Sequence, residues 1–496
     1  MELQLFKNTI SSLSVIDGTV INQEEVGELI IPDTHPDAER ILDAYVSVLL
    51  KSKEAQQGSA VIKGVFQTTV IYASDDDNIY KVDLPLPYTV TINKHDIQSE
   101  CEISAVIRAL NTDAVLSDSR KVIVKVNYTA EIRAYEKQNI DFCSKIGDES
   151  VYQMIDDVEH TYLNQYFEKT FVVSDDISLN EAHGGHIEII GAEYKIFNTD
   201  FSFAANRLII RGYGEAELLV LFSDDVCPKI IIKKIDFSQI IDANTEDVIE
   251  NIAVKVMLNG CYCDVNSYSG DEVSVTIEMH AVAQCEIYCK KAVAILSDAY
   301  STKGNIKLIQ NEISMLTSSK TSAASCKICE RFDNSANINE IINAKVKILD
   351  AVYDNNAVKF KCMIIGYGLD HDMVPQVFRH SFTAEIETEC VANAVYNSQV
   401  LNIDIFGNEI IFDGEIELKA EHNTVCTMSC IEKAEFEGSD SWNFAPSAVI
   451  YCCKSEDKLW NIAKKYLSDV DIIRKINDLE ESAEITDGQM ILIPKM

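Results

Sequence analysis

The sequence predicts a mainly β, multidomain protein: three repeated antiparallel β-sandwich or open-barrel domains, then a small α/β domain of strand–helix–helix–strand (βααβ) order. Three observations carry this. Apolar and polar residues alternate at period two through most of the chain, between turns of Asp, Asn, Gly and Ser. The same set of phrases restarts twice. Helical spacing then takes over in the terminal residues 448–496.

The repeat is visible in three features that recur in the same order. The first is Ile41-Leu42-Asp43-Ala44-Tyr45-Val46-Ser47-Val48, matched by Ile189-Ile190-Gly191-Ala192-Glu193-Tyr194-Lys195-Ile196 and by Ile341-Ile342-Asn343-Ala344-Lys345-Val346-Lys347-Ile348. The second is Val61-Ile62-Lys63-Gly64, matched by Ile209-Ile210-Arg211-Gly212 and by Lys359-Phe360-Lys361-Cys362, where the glycine is lost. The third is a long alternating strand that closes each unit: Val122, Val124, Val126, Tyr128, Ala130 and Ile132, then Val273, Val275, Ile277, Met279 and Ala281, then Ile410, Phe412, Gly414, Ile416, Leu418 and Ala420. The acidic runs Asp75-Asp76-Asp77-Asn78 and Ser223-Asp224-Asp225 fall at similar turns.

These features divide the chain into β domains at 1–150, 151–303 and 304–436, a linker at 437–447 and the terminal domain at 448–496. Met154, Ile155, Val158 and Tyr162 stand at partly helical spacing and predict a short connecting helix between the first two units. The linker is rich in Gly, Ser, Asp, Asn and Pro and reads as a tether, with Trp442 and Phe444 suited to dock on a neighbour.

Composition excludes several function classes. The formal net charge is −36, from 79 acidic and 43 basic residues. Nucleic-acid binding needs a basic face for phosphates, and an acidic membrane surface would repel this chain. The opening Met1-Glu-Leu-Gln-Leu-Phe-Lys lacks a basic segment followed by an apolar core, and no apolar run has the length of a membrane span, so a cytosolic location is expected. The 15 cysteines then read as reduced thiols acting as small hydrophobes. Cys326-x-x-Cys329 lacks the second pair a structural zinc site needs, and Cys452-Cys453 is merely vicinal. His183-Gly-Gly-His186 reads as a loop, and the Asp75–Asp77 run lacks the glycine and distal glutamate of a calcium loop. There is no phosphate-binding glycine loop, no His-Glu-x-x-His and no nucleophile elbow. The expectation is a non-enzyme with no cofactor and no metal.

The terminal segment has the richest local pattern. Ala448 to Cys453 is a short strand. Ser455 is placed to cap a helix, with Glu456 and Asp457 in or beside its first turn. Leu459, Ile462, Ala463 and Tyr466 follow at helical spacing. Asp469 or Asp471 opens a second helix with Ile472, Ile473 and Ile476 as its buried stripe, and Asn477-Asp478 ends it. Asp487-Gly488 is a turn, and Met490 to Ile493 is a second strand stopped by Pro494.

The tyrosine strand, Asp-x-Leu-Trp-x-Ile-Ala-x-x-Tyr, the asparagine after the second helix and Ile-x-x-Gly-Gln-x-Ile-x-Ile-Pro, read with Asp487 before Gly488, resemble a LysM domain. That resemblance implies a groove for N-acetylglucosamine polymers, between the loop after the first strand and the loop after the second helix. The groove candidates are Ser455, Glu456, Asp457, Lys458 and Trp460 on one side and Asn477, Asp478 and Leu479 on the other. Whether Trp460 is exposed or buried stays open. The usual Gly-Asp-Thr-Leu of the first loop is here Glu456-Asp457-Lys458-Leu459, which replaces a residue of close backbone approach by a glutamate and favours a protein ligand.

Repeated acidic β domains before one terminal LysM, with phrases such as Glu28-Leu-Ile-Ile-Pro32, Ile62-Lys-Gly64 and Val70-Ile-Tyr72, resemble the SipL family of clostridial spore-coat morphogenetic proteins. Pro32 and Tyr72 are not retained in the second and third copies. The resemblance implies a non-enzymatic adaptor of coat assembly, on the mother-cell side of the forespore, whose LysM binds a stage IV sporulation protein A-like coat ATPase, with other coat proteins as further partners. The alternative is a lectin-like protein that binds peptidoglycan through the same groove. An enzyme anchored by its LysM has no catalytic residues to point to.

Overall fold

The computed structural model describes residues 2–494 apart from 76, 180–186, 223–226, 244, 270–271, 355, 389–393, 438–446 and 481–484. His183 and His186, Asp76, the turn at 223–225, and Trp442 and Phe444 therefore lie outside the described residues.

Six strands recur three times. The first set is β1 (Leu5–Ile30), β2 (Ala38–Gln56), β3 (Ser59–Ser74), β4 (Ile79–Asn93), β5 (Glu102–Asp118) and β6 (Lys121–Ile146). The second is β7 (Val151–Leu179), β8 (Ile187–Ala204), β9 (Arg207–Phe222), β10 (Lys229–Asp242), β11 (Val248–Ser269) and β12 (Glu272–Ser301). The third is β13 (Asn305–Asp333), β14 (Ile338–Asp354), β15 (Ala357–Asp370), β16 (Pro375–Glu387), β17 (Val395–Phe406) and β18 (Glu409–Glu437). In every set the first strand runs antiparallel to the sixth, the fifth and sixth form a hairpin, and strands two to four form a meander. Each meander packs on the hairpin layer over its own apolar cluster. The long alternating strands are the sixth strands. Val122, Val124, Val126, Tyr128, Ala130 and Ile132 are fully buried, as period-two alternation on a one-sided sheet requires.

Two features depart from expectation. The segment with Met154, Ile155, Val158 and Tyr162 is no helix; it is the start of β7, which pairs with β12 from Val151 to Leu179. Ile155 is exposed, so the helical spacing was coincidental. Two single bridges also link the first two sets into one nine-stranded sheet, Leu49 beside Leu258 in parallel and Leu13 opposite Leu163. Cys326 and Cys329 lie three apart on β13, so their sulfurs point to opposite faces and do not form a pair.

The lost glycine of the third set has moved. Gly64 lies under the ring of Tyr88 and Gly212 under Phe237, where a Cβ would collide with ring and backbone. In the third set the same device is Gly366 under Phe378, displaced along the strand.

The three second strands converge. Leu42, Ile190 and Ile342 share one apolar cluster with Ile71, Leu219 and Tyr367, their counterparts on the third strands. β8 leans on β3 and β4, β2 on β15 and β16, and β14 on β10, which closes the sets into a ring of approximate threefold repeat. At its centre stand the equivalent residues Tyr45, Glu193 and Lys345. The Lys345 ammonium sits 3.6 Å above the Tyr45 ring, 3.0 Å from Asp43 and 3.5 Å from Glu193. Asn343 donates to the Tyr45 hydroxyl (2.8 Å) and to Glu217 (3.0 Å). Burial pulls the Lys345 pKa down, but Asp43, Glu193 and Glu217 outweigh it and hold the ammonium above the ordinary lysine value. A Cβ at Gly191 would come 3.1 Å from the Tyr45 ring, so the smallest residue makes room for the largest.

The terminal module comprises β19 (Ala448–Cys452), α1 (Leu459–Tyr466), α2 (Val470–Ile476) and β20 (Met490–Pro494), with β19 antiparallel to β20. No helix among the described residues is long and apolar enough to cross a membrane.

Two predictions follow from this core. Lys345→Ala removes the cation shared by Asp43, Glu193 and Glu217, leaving only Glu193 a second cation in Lys195, and should destabilise the chain by about 3 kcal/mol in denaturant unfolding, whereas Lys345→Met combined with Asp43→Asn and Glu217→Gln should recover most of it. His160 is buried between β7 and the third set, with Nδ1 3.2 Å from the Leu316 carbonyl, and burial depresses its pKa. Its neutral form is the folded form, so its contribution is present above the unfolded value of about 6.5 and fades as pH falls below it. Unfolding midpoints measured from neutral pH down to mildly acidic pH should fall, and His160→Asn should flatten that slope.

Candidate functional site

The module is built around Cys453, Ile462, Ala463, Leu467, Ile473, Ile491 and Ile493, all buried. Helix α1 begins at Leu459, with Lys458 at the N-cap position and no side-chain cap. Ser455 therefore caps nothing; it is exposed in the turn ahead, beside Glu456. Asp457 folds that turn instead. Its carboxylate accepts the Lys454 N–H (2.9 Å) and the Tyr451 hydroxyl (3.0 Å), and the Lys454 N–H first of all holds it below the usual carboxylate range. Leu467 closes α1 in the left-handed region at φ 45°, and the Ser468 N–H returns to the Ala463 carbonyl.

Helix α2 is capped by Asp469, which accepts the N–H groups of Asp471 (2.7 Å) and Ile472 (3.0 Å). Of its expected apolar stripe, Ile473 is buried, Ile472 is partly buried, and Ile476 is exposed at 44%. Asn477 is spent on structure: its side-chain N–H groups donate to the carbonyls of Ile473 and Leu492, and its oxygen accepts the Leu492 N–H, each at 2.7 Å. It pins the end of α2 to β20. Asp478 is exposed at φ 53°, and Leu479 packs partly into the module core. The Asp487-Gly488 turn is present, with Gly488 at φ 78° and its N–H on the Cys453 carbonyl.

The eight expected residues thus separate. Ser455, Glu456, Lys458 and Asp478 stand exposed on the loops, Asp457 and Asn477 hold those loops in shape, and Leu479 is partly buried. Trp460 faces the body of the protein. Its indole N–H donates to Asp298 Oδ2 (2.8 Å), and its ring meets Tyr300 edge-on at 4.9 Å. Lys464 also pairs with Asp298. The Tyr300 hydroxyl donates to the Ser468 carbonyl (2.8 Å), and the Tyr152 hydroxyl donates to Asp469 (2.6 Å). Burial works against the Asp469 carboxylate, but this hydroxyl and the two helix N–H groups hold its pKa low. Tyr152, Asp298 and Tyr300 were not anticipated, because they lie far away in sequence. The one available signal was an aromatic at each end of the second unit's outer strands.

Among known families, residues 37–115, from the start of β2 into β5, match the SPOCS domain of SipL, and residues 453–494 match the LysM domain. Comparison with curated proteins and with solved structures finds no match. The chain carries a SipL-type SPOCS domain and a C-terminal LysM domain, as the sequence resemblance implied. Both are non-catalytic binding domains.

Asn477→Ala should cost the module about 2 kcal/mol, since three bonds are lost and the Leu492 N–H loses its partner. The check is amide exchange at Leu492, which should accelerate while exchange in β3 and β9 stays unchanged.

Proposed function

We propose that the chain is a non-enzymatic adaptor of spore-coat assembly. In this reading the LysM domain binds a basal coat protein, a stage IV sporulation protein A-like ATPase, and the three β sets present surfaces to further coat components. The observation that carries it is the first loop of the LysM domain. Asp457 keeps its structural place, while the two positions around it carry the exposed charges of Glu456 and Lys458 in place of glycine and threonine. A charged, protruding loop end suits a protein surface better than a close-fitting sugar chain. The location that accompanies this reading is the mother-cell side of the forespore.

A lectin-like role in binding peptidoglycan uses the same loops and is the competing reading. The test offers the full chain both purified peptidoglycan and the purified coat ATPase. Retention of the ATPase, reduced about thirtyfold or more by Lys458→Glu, supports the adaptor, since a central contact is worth roughly 2 kcal/mol or more. Retention on peptidoglycan alone, unaffected by Lys458→Glu, returns the module to the lectin class.

A further inference from the structure

The LysM helices do not stand free of the β body. Their face is completed by the outer end of the second strand set, where Tyr152 of β7 lies opposite Tyr300 of β12. The two rings stack at 5.0 Å and 12°. Tyr300 is 2% exposed and belongs to the same apolar cluster as Ile462, Ile473 and Ile491 of the module. Around this apolar step the polar groups are matched. The two carboxylate oxygens of Asp298 take the Trp460 indole N–H and the Lys464 ammonium. The two tyrosine hydroxyls reach Asp469 and the Ser468 carbonyl, at the junction between the helices.

The repeat supplies an internal control. The residues at the equivalent register step are Phe6 opposite Lys145 in the first set and Ile306 opposite Phe436 in the third. Neither pair joins two tyrosines. Phe6, at the step where no module sits, is 49% exposed. Reach is satisfied as well. The tether leaves from Glu437, which pairs with Asn305, and Asn305 follows Tyr300 across one short turn. The module begins only about ten positions later in the sequence, a separation that keeps it at high effective concentration near its dock.

We propose that the second strand set is a built-in receptor for the helical face of the LysM domain. Docking at the Tyr152–Tyr300 step fixes the module as a rigid head and closes the Trp460 face to outside partners. The loop end, Ser455 to Lys458, is then the surface presented. This last clause rests on the adaptor reading; the docking itself does not.

The experiment uses the full chain with Trp442→Phe, so that Trp460 is the sole tryptophan. Acrylamide quenching of Trp460 should be weak in this parent and rise severalfold in Asp298→Ala. Tyr152→Phe, which removes one hydroxyl and no ring, should give a smaller rise. Slow amide exchange at Ile491 checks that the module stays folded in each variant. Strong quenching in the parent, equal to that in Asp298→Ala with Ile491 protected, overturns the dock. Binding of the coat ATPase is then measured on the same proteins. Equal retention by parent and Asp298→Ala, with loss in Lys458→Glu, supports the loop end as the presented surface. Stronger retention by Asp298→Ala means the partner uses the Trp460 face and overturns that clause. No retention by any form, with Trp460 protected in the parent, sinks the adaptor reading and leaves the dock standing.

Discussion

One ammonium group at the meeting point of three strand sets constrains the rest of the molecule. Lys345, Glu193 and Tyr45 occupy equivalent positions on β14, β8 and β2, and all three reach the centre of the ring. Three identical charged residues would fail there, since three lysines or three glutamates repel. The solution is one cation, one anion and one aromatic face, with Asp43, Glu217 and Lys195 adding further charges around them and Asn343 bridging Tyr45 and Glu217. Buried charges are expensive to desolvate, so such a network adds less to stability than to the choice of partner. It makes each set fit its own two neighbours and gives a physical reason for the divergence of the three copies.

A second buried network fixes the first set against the second. Arg133 bridges Glu131 and Glu286, Lys255 pairs with Glu131, and the hydroxyls of Tyr135 and Tyr288 both donate to Glu286. These groups lie on β6, β11 and β12, the hairpin layers of the two sets. The far end of β12 carries Asp298 and Tyr300, so the strand that is locked to the first set also presents the seat of the LysM helices. The position of the module thus follows from the strand that joins the first two sets.

Much of this was legible in the sequence, because period-two alternation is a local signal. The sixth strands were read residue by residue, the restarts of the repeat were visible, and the βααβ order of the last domain followed from spacing and turn residues. The failures have a common cause. Val151 to Tyr162 carries a helix-like spacing, and its ladder to β12 overrides that local preference. The third glycine seemed lost because its partner ring, Phe378, had moved with it to another register. Within the site, the resemblance places Asp457 and Asn477 on the two groove loops; apart from the Tyr451 hydroxyl their partners are backbone groups, which sequence does not display. The seat of Trp460 depends on contacts more than 150 residues away, which no local pattern encodes.

Three sets that close around one shared centre should open together. Native-state hydrogen exchange in low denaturant tests it directly, at the middle-strand amides of Ile71, Leu219 and Tyr367, one from each set. A single common opening free energy for all three is the predicted result. Three separate values, with the sets opening one after another, would contradict it.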